Sequence, residues 1–149
     1  MFMAVKLDIF FLFVLCVFFQ CQSSRHAQQG VQGKVLWLEG NMMPGVGVDL
    51  PEGKAIEREI YFFEPTSTDQ MTGSGPLYDS VQSRLIKKIV SNEDGFFKVQ
   101  LKEGKYSVFV KEKDQYYASV MDSQHFNPVV VKPGEMAVIT IKIDYKAYY

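Results

Sequence analysis

Cysteine is almost missing from this chain: of its 149 residues only Cys16 and Cys21 are cysteines, and both precede residue 22. A disulfide framework in the folded part is thereby excluded, and so is a zinc site built on cysteine. Histidine is nearly as scarce, with His26 and His125 alone. Charge of neither sign dominates, because 16 Lys and Arg face 17 Asp and Glu for a net charge of −1. Such a balance provides no long-range attraction for nucleic acid or anionic lipid. No Ser-His-Asp spacing, phosphate-binding loop or paired-carboxylate motif is present to suggest catalysis. What the chain does have is apolar material, 47% hydrophobic and 14% aromatic, enough for the core of one domain.

Part of that material stands apart at the start. Lys6 precedes an unbroken apolar run, Ile9–Phe19 (IFFLFVLCVFF), and polar residues follow from Gln20. As a helix this run spans roughly 16 Å, about half the ~30 Å hydrocarbon core of a bilayer. That length suits the hydrophobic region of a cleavable signal peptide rather than a membrane span. Asp8 leaves only Lys6 and the terminal amine as positive excess. Small residues offer peptidase sites after Ser23 or Ala27. Alternatively Cys21, directly after the run, is the lipid-attachment residue of a lipoprotein, although Gln20, Phe19 and Phe18 depart from the small residues that normally precede such a cysteine. Residues 1–27 are therefore expected to be signal peptide and short linker, and 28–149 a single domain.

From Gly30 onward the pattern is that of short strands. Val31, Val35 and Trp37 fall on one side of Val31–Glu39, with Leu36 and Leu38 on the other. Gly40–Lys54 is broken by Pro44, Gly45, Gly47, Pro51 and Gly53. Ile56–Phe63 alternates Ile56, Ile60 and Phe62 against Glu57 and Glu59, a strand with one buried face. Glu64–Ser83 shows no period and is expected to be a long loop, functional or disordered. Leu85–Val90 fits helix and strand alike and is assigned to a strand on its β-branched content. Asn92–Gly95 is a turn into the alternating Phe97, Val99 and Leu101, and Lys102–Lys105 a second turn into Tyr106, Val108 and Val110. After Tyr116–Ala118 and Pro128–Val131, Pro133-Gly134 supplies a type II turn. Ala137, Ile139, Ile141 and Ile143 then point inward, with Thr140 and Lys142 outward. Strands of this length with turns about every ten residues predict an all-β sandwich.

The stretch Ser91–Lys111 (SNEDGFFKVQLKEGKYSVFVK) resembles the centre of the carboxypeptidase regulatory-like domain family. Asp94, Gly95, Phe97, Leu101, Gly104, Tyr106, Val108 and Val110 fit that family's pattern of an Asp-Gly turn, an aromatic-led strand, a Gly turn and Tyr-x-Val-x-Val. Gly33-Lys34-Val35 and a closing Val129–Ile143 hairpin fit its first and last strands. The resemblance implies a transthyretin-like Greek-key β-sandwich of about seven strands, generally non-catalytic and exported. The long Gly40–Lys54 and Glu64–Ser83 segments depart from the pattern.

Enzymes related to that sandwich require residues this chain lacks. Hydroxyisourate hydrolases use several histidines and end Tyr-Arg-Gly-Ser, whereas this chain ends Lys146-Ala147-Tyr148-Tyr149. Intradiol dioxygenases need two tyrosines and two histidines on iron. Lys34 could begin an intramolecular Lys–Asn cross-link, but Met136–Tyr145 holds no Asn. Asn92, Glu93 and Asp94 read as turn formers before calcium ligands. Trp37, Tyr61, Phe109, Tyr116, Tyr117 and Phe126 are either core or a stacking platform, with core packing favoured. Glu57, Glu59, Lys87, Lys88, Lys111 and Lys113 form a solvated sheet face.

The sequence thus points to an exported, non-catalytic module of a bacterial envelope, periplasmic, extracellular or outer-membrane associated. No cofactor and no metal are expected. Its role is structural or the recognition of a protein or glycan, with no nucleic-acid partner and membrane contact only through Cys21. The alternatives are a lipid-anchored accessory subunit of an outer-membrane complex and a small hydrolase. Within Glu64–Ser83, the residues Met71, Leu77 and Tyr78 are the expected recognition elements, on a loop replaceable by a Gly-Ser linker at little cost in stability.

Overall fold

A computed structural model describes residues 28–149, Val48 excepted; the Ile9–Phe19 run and Cys21, expected as signal peptide and lipid-attachment residue, lie outside the described residues. The described chain is all-β. Eleven strands form two sheets: β1 (Gly30–Asn41), β2 (Lys54–Ala55), β3 (Glu59–Phe63), β4 (Met71–Ser74), β5 (Leu77–Val81), β6 (Leu85–Val90), β7 (Phe96–Gln100), β8 (Gly104–Glu112), β9 (Gln115–Tyr117), β10 (Pro128–Val131) and β11 (Met136–Tyr148). In the first sheet β1 is central, with β11 parallel to it on one side and β7 and β2 antiparallel on the other. The second runs β6–β3–β8, and β8 then gives its far side to β10 along its first half and to β9 along its second. β5 and β4 continue outward from β9.

The alternation read from the sequence explains which faces meet. Val31, Val35, Phe97, Val99 and Ile143 from the first sheet pack against Ile60, Phe62, Tyr106, Val108, Val110, Tyr117, Val129 and Val131 from the second. Apolar residues two apart lie on one side of a strand, so burying that side removes them together from water. Leu85–Val90 is indeed a strand, and Ile86 and Ile89 pack on this core.

Three connections differ from expectation. β6 and β8 belong to one sheet and β7 to the other, so the turns at Asn92–Gly95 and Lys102–Lys105 carry the chain across the sandwich rather than closing hairpins. The Pro133-Gly134 turn does the same between β10 and β11. Turn chemistry is identical in the two cases, because a tight reversal needs Gly at positive φ whichever sheet the next strand joins. At Gly95 both requirements coincide: φ is 70°, and a Cβ there would lie 2.4 Å from the carbonyl oxygen of Val35.

The second correction concerns Glu64–Ser83. It is no open loop but a 3₁₀ turn (Thr68–Gln70) followed by the β4–β5 hairpin. β3 accordingly has two buried faces. Ile60 and Phe62 point into the sandwich, while Phe63, with Phe109, Ala118 and Phe126, forms a second apolar cluster on the outer face of the second sheet. Met71, Tyr78 and Val81 cover that cluster from the hairpin. Thr66 anchors the hairpin's root and is fully buried, its N–H donating to Ser107 Oγ at 2.9 Å and its hydroxyl to the carbonyl of Glu64 at 2.9 Å. A Gly-Ser replacement would uncover these aromatics, so the expected low cost does not hold.

Candidate functional site

One side of the sandwich stands open. Among the described residues β10 pairs only with β8, and β11 only with β1, so their remaining edges face each other with no ladder between them. The gap is a cleft of about 240 Å³. Val108, Val129, Ile139 and Ile141 give it apolar walls, and the exposed Ser119 and Thr140 stand at its mouth. The backbone of β11 has a definite polarity here. Glu135 accepts from Gly30 on the β1 side, while Lys142 C=O and Asp144 N–H are bonded on the opposite side by the hydroxyl of Tyr117. Even-numbered residues therefore direct their N–H and C=O toward the free edge, and those of Val138 and Thr140 have no protein partner among the described residues.

The loop that closes one end of the cleft is held by Asn127. Its side chain donates to Val108 C=O at 2.9 Å and accepts from Val120 N–H at 2.9 Å, and its φ of 36° is a left-handed value that Asn adopts more readily than most residues. The other end is closed by Tyr117, whose ring is fully buried. Its hydroxyl donates to Asp144 Oδ1 at 2.6 Å or to Lys142 C=O at 2.9 Å. Burial first, and then the neighbouring Asp144 carboxylate, push this phenol up to about 12. Asp144 comes within reach because β11 carries a bulge: its pairing with β1 shifts between the Trp37–Ile143 and Glu39–Lys146 pairs.

Beyond the bulge lies a second polar group. Glu112 is 7% exposed and accepts from Arg58 Nε at 2.5 Å and from the Tyr145 hydroxyl at 3.0 Å. Tyr145 stands edge-on to Trp37, with centroids 5.3 Å apart; burial raises its hydroxyl's pKa, helped by Glu112. Each oxygen of Glu112 accepts one of these bonds, and because Tyr145 belongs to the other sheet, the group ties the two sheets together. His125 lies in the loop before β10. Its Nδ1 is 3.0 Å from Lys105 Nζ, which donates to Asp122 at 2.7 Å. Lys105 first, and then the backbone N–H groups of Gln124 and His125, hold the Asp122 carboxyl well below its usual range.

The remaining candidates separate in space. Met71 and Tyr78 are half-buried against the outer aromatic cluster and Leu77 against the main core, so the three do not converge on one surface. Asn92 serves its turn, its Oδ1 accepting from Phe96 N–H at 2.7 Å. Lys34 is exposed on the outside of the first sheet. Among the aromatics, Phe109, Tyr117 and Phe126 are core; Tyr61 and Tyr116 are half-buried and meet edge to face at 87°, which is no flat platform. Val138, Thr140 and Asn127 were not singled out from the sequence. The alternation of β11 gives their orientation, but that its outer edge lacks a neighbour is a matter of topology. Compared with protein-family models, curated proteins and solved structures, the chain matches none.

Proposed function

We propose that this chain is an exported, non-catalytic β-sandwich module that recognises an extended segment of another protein by strand addition at the free edge of β11. One observation carries the reading: the unpaired N–H and C=O groups of Val138 and Thr140 border an apolar cleft. An added strand gains backbone hydrogen bonds from such an edge and lodges alternate side chains in the cleft. The strand edge is also uncharged from Met136 to Ile141 and contains no proline, so the usual protection of exposed edges is missing there. Met71, Leu77 and Tyr78 contribute to packing in this reading, and recognition lies elsewhere.

The Ile9–Phe19 run supports export. The Ser91–Lys111 resemblance supports a carboxypeptidase regulatory-like, transthyretin-like Greek-key domain, to which a two-sheet all-β architecture is suited. A lipid-anchored form, with Cys21 as the modified N-terminus, is the second reading and rests on that residue's place directly after the apolar run. Mass spectrometry of the mature N-terminus separates the two. Strand addition is tested with an acetylated Lys-Val-Ser-Val-Ser-Val-Lys peptide titrated into isotopically labelled protein. Amide shifts concentrated at Val138 and Thr140 are expected. Val138→Pro, which removes a free-edge donor without touching the β1 ladder, should abolish them. Shifts elsewhere, or binding that survives this substitution, overturn the proposal.

A further inference from the structure

The two outer faces of the sandwich differ. That of the second sheet is covered by the β4–β5 hairpin and its aromatic cluster. That of the first sheet, formed by β7, β1 and β11, is uncovered among the described residues. Its outward residues are fixed by the register: Lys98 lies beside Gln32 and Val138, Phe96 beside Lys34 and Thr140, and Leu36 beside Lys142. Lys98, Lys34 and Lys142 therefore form a straight diagonal across the three strands. Each step is one strand over and two residues along, about 8 Å, so the row is about 16 Å long.

Three features distinguish this row from a merely solvated face. First, no carboxylate shares it: the outward positions of β7, β1 and β11 between Gln32 and Lys142 are Gln, Lys, Leu, Phe, Val and Thr. Second, none of the three lysines forms an ion pair among the described residues; Lys98 Nζ meets only the side-chain oxygen of Gln28. On the opposite sheet Lys88 pairs with Glu59 at 2.6 Å and Lys111 lies over the Tyr116 ring. Third, the two banks of the row differ in polarity. Phe96, 43% exposed, and Leu36 border it on one side, while Gln32 and Thr140 border it on the other, with Val138 beyond them at the corner.

We infer that this face binds a linear acidic polysaccharide, laid along the lysine diagonal. Regularly spaced carboxylates on such a chain match regularly spaced cations. Sugar rings carry both an apolar face and a hydroxyl edge, which fits an apolar bank opposite an amide and hydroxyl bank. The net charge of −1 hides this, because the acids lie on other surfaces and a local field depends on where charges sit. The row meets the β11 edge cleft only at Thr140 and Lys142, which border both; Lys98, Lys34, Phe96 and Leu36 lie away from it, and the inference stands whether or not strand addition occurs.

The test titrates polygalacturonate into the protein at low salt, with binding followed by isothermal calorimetry. Neutral dextran, polyglutamate and phosphatidylglycerol vesicles serve as comparison ligands. Binding of polygalacturonate and not dextran is expected, weakening as salt rises. Combined Lys34→Gln, Lys98→Gln and Lys142→Gln should weaken it by about tenfold, as three exposed charge contacts of a few tenths of a kcal/mol each imply. Lys87→Gln on the opposite sheet should leave it unchanged. Phe96→Ala should weaken polygalacturonate binding further and leave any polyglutamate binding alone. All of these positions are exposed, and an unaltered circular-dichroism spectrum checks the fold of each variant. The proposal is overturned if polygalacturonate does not bind, or if the triple variant binds as tightly as the parent. It is overturned equally if polyglutamate or the vesicles bind as tightly as polygalacturonate, or if Phe96→Ala leaves polygalacturonate binding unchanged.

Discussion

At Tyr117 one hydroxyl joins the two sheets, since β9 belongs to the second and its partners Lys142 and Asp144 to the first. Tyr117→Phe keeps the ring in the core and leaves those groups short of a partner, which should cost about 1–3 kcal/mol in chemical denaturation. The phenol also sets a pH dependence. The folded chain holds its proton more tightly than the unfolded chain, where the pKa is near 10. Its contribution is therefore complete below pH 10 and is lost as pH rises from 10 through about 12. Unfolding midpoints of the parent should fall across that range more steeply than those of Tyr117→Phe. At the neighbouring polar group, Arg58→Ala leaves the buried Glu112 with Tyr145 alone. Breaking a buried pair costs about 3–5 kcal/mol, and the partial exposure of Arg58 places the expected loss near the lower end. A loss under about 1 kcal/mol would show that water replaces the guanidinium freely.

At the level of strands, the sequence reveals faces better than neighbours. Alternation identified Phe97 and Val99, then Tyr106, Val108 and Val110, as inward, and all five are buried. Tyr106→Ala should accordingly cost about 3–5 kcal/mol, the range for a large aromatic lost from a core; its hydroxyl bond to Lys102 adds to the loss. What alternation cannot convey is which sheet a strand joins, because Gly95 and Gly104 suit a hairpin and a crossover equally. Gly95→Ala tests the crossover itself, since it forces a left-handed residue against the Val35 carbonyl. A destabilisation above about 1 kcal/mol is expected by thermal unfolding. The β4–β5 hairpin escaped the sequence reading for another reason: its strands are short, β4 is mostly Thr, Gly and Ser, and they gain their order from aromatics contributed by β3 and β8. The lysine diagonal was legible residue by residue but not as a row, which appears only once β7 and β11 flank β1.

For the molecule as a whole, every described strand lies between Gly30 and Tyr148. A chain lacking residues 1–27 should fold to a soluble β protein, and a circular-dichroism spectrum dominated by helix or coil would contradict this. The pairing of β1 with β11 has a further consequence for a chain held at one end. The two strands are parallel, so the polypeptide enters the pair at Gly30 and leaves it past Tyr148 at the opposite extremity of the ladder. Tension applied to the two sides of the domain then acts along the strands, loading many hydrogen bonds at once in shear instead of peeling them open in turn. Single-molecule stretching should show a high rupture force for this arrangement, and a markedly lower one when the same domain is pulled between the paired ends Asn41 and Tyr148, which peels the ladder open.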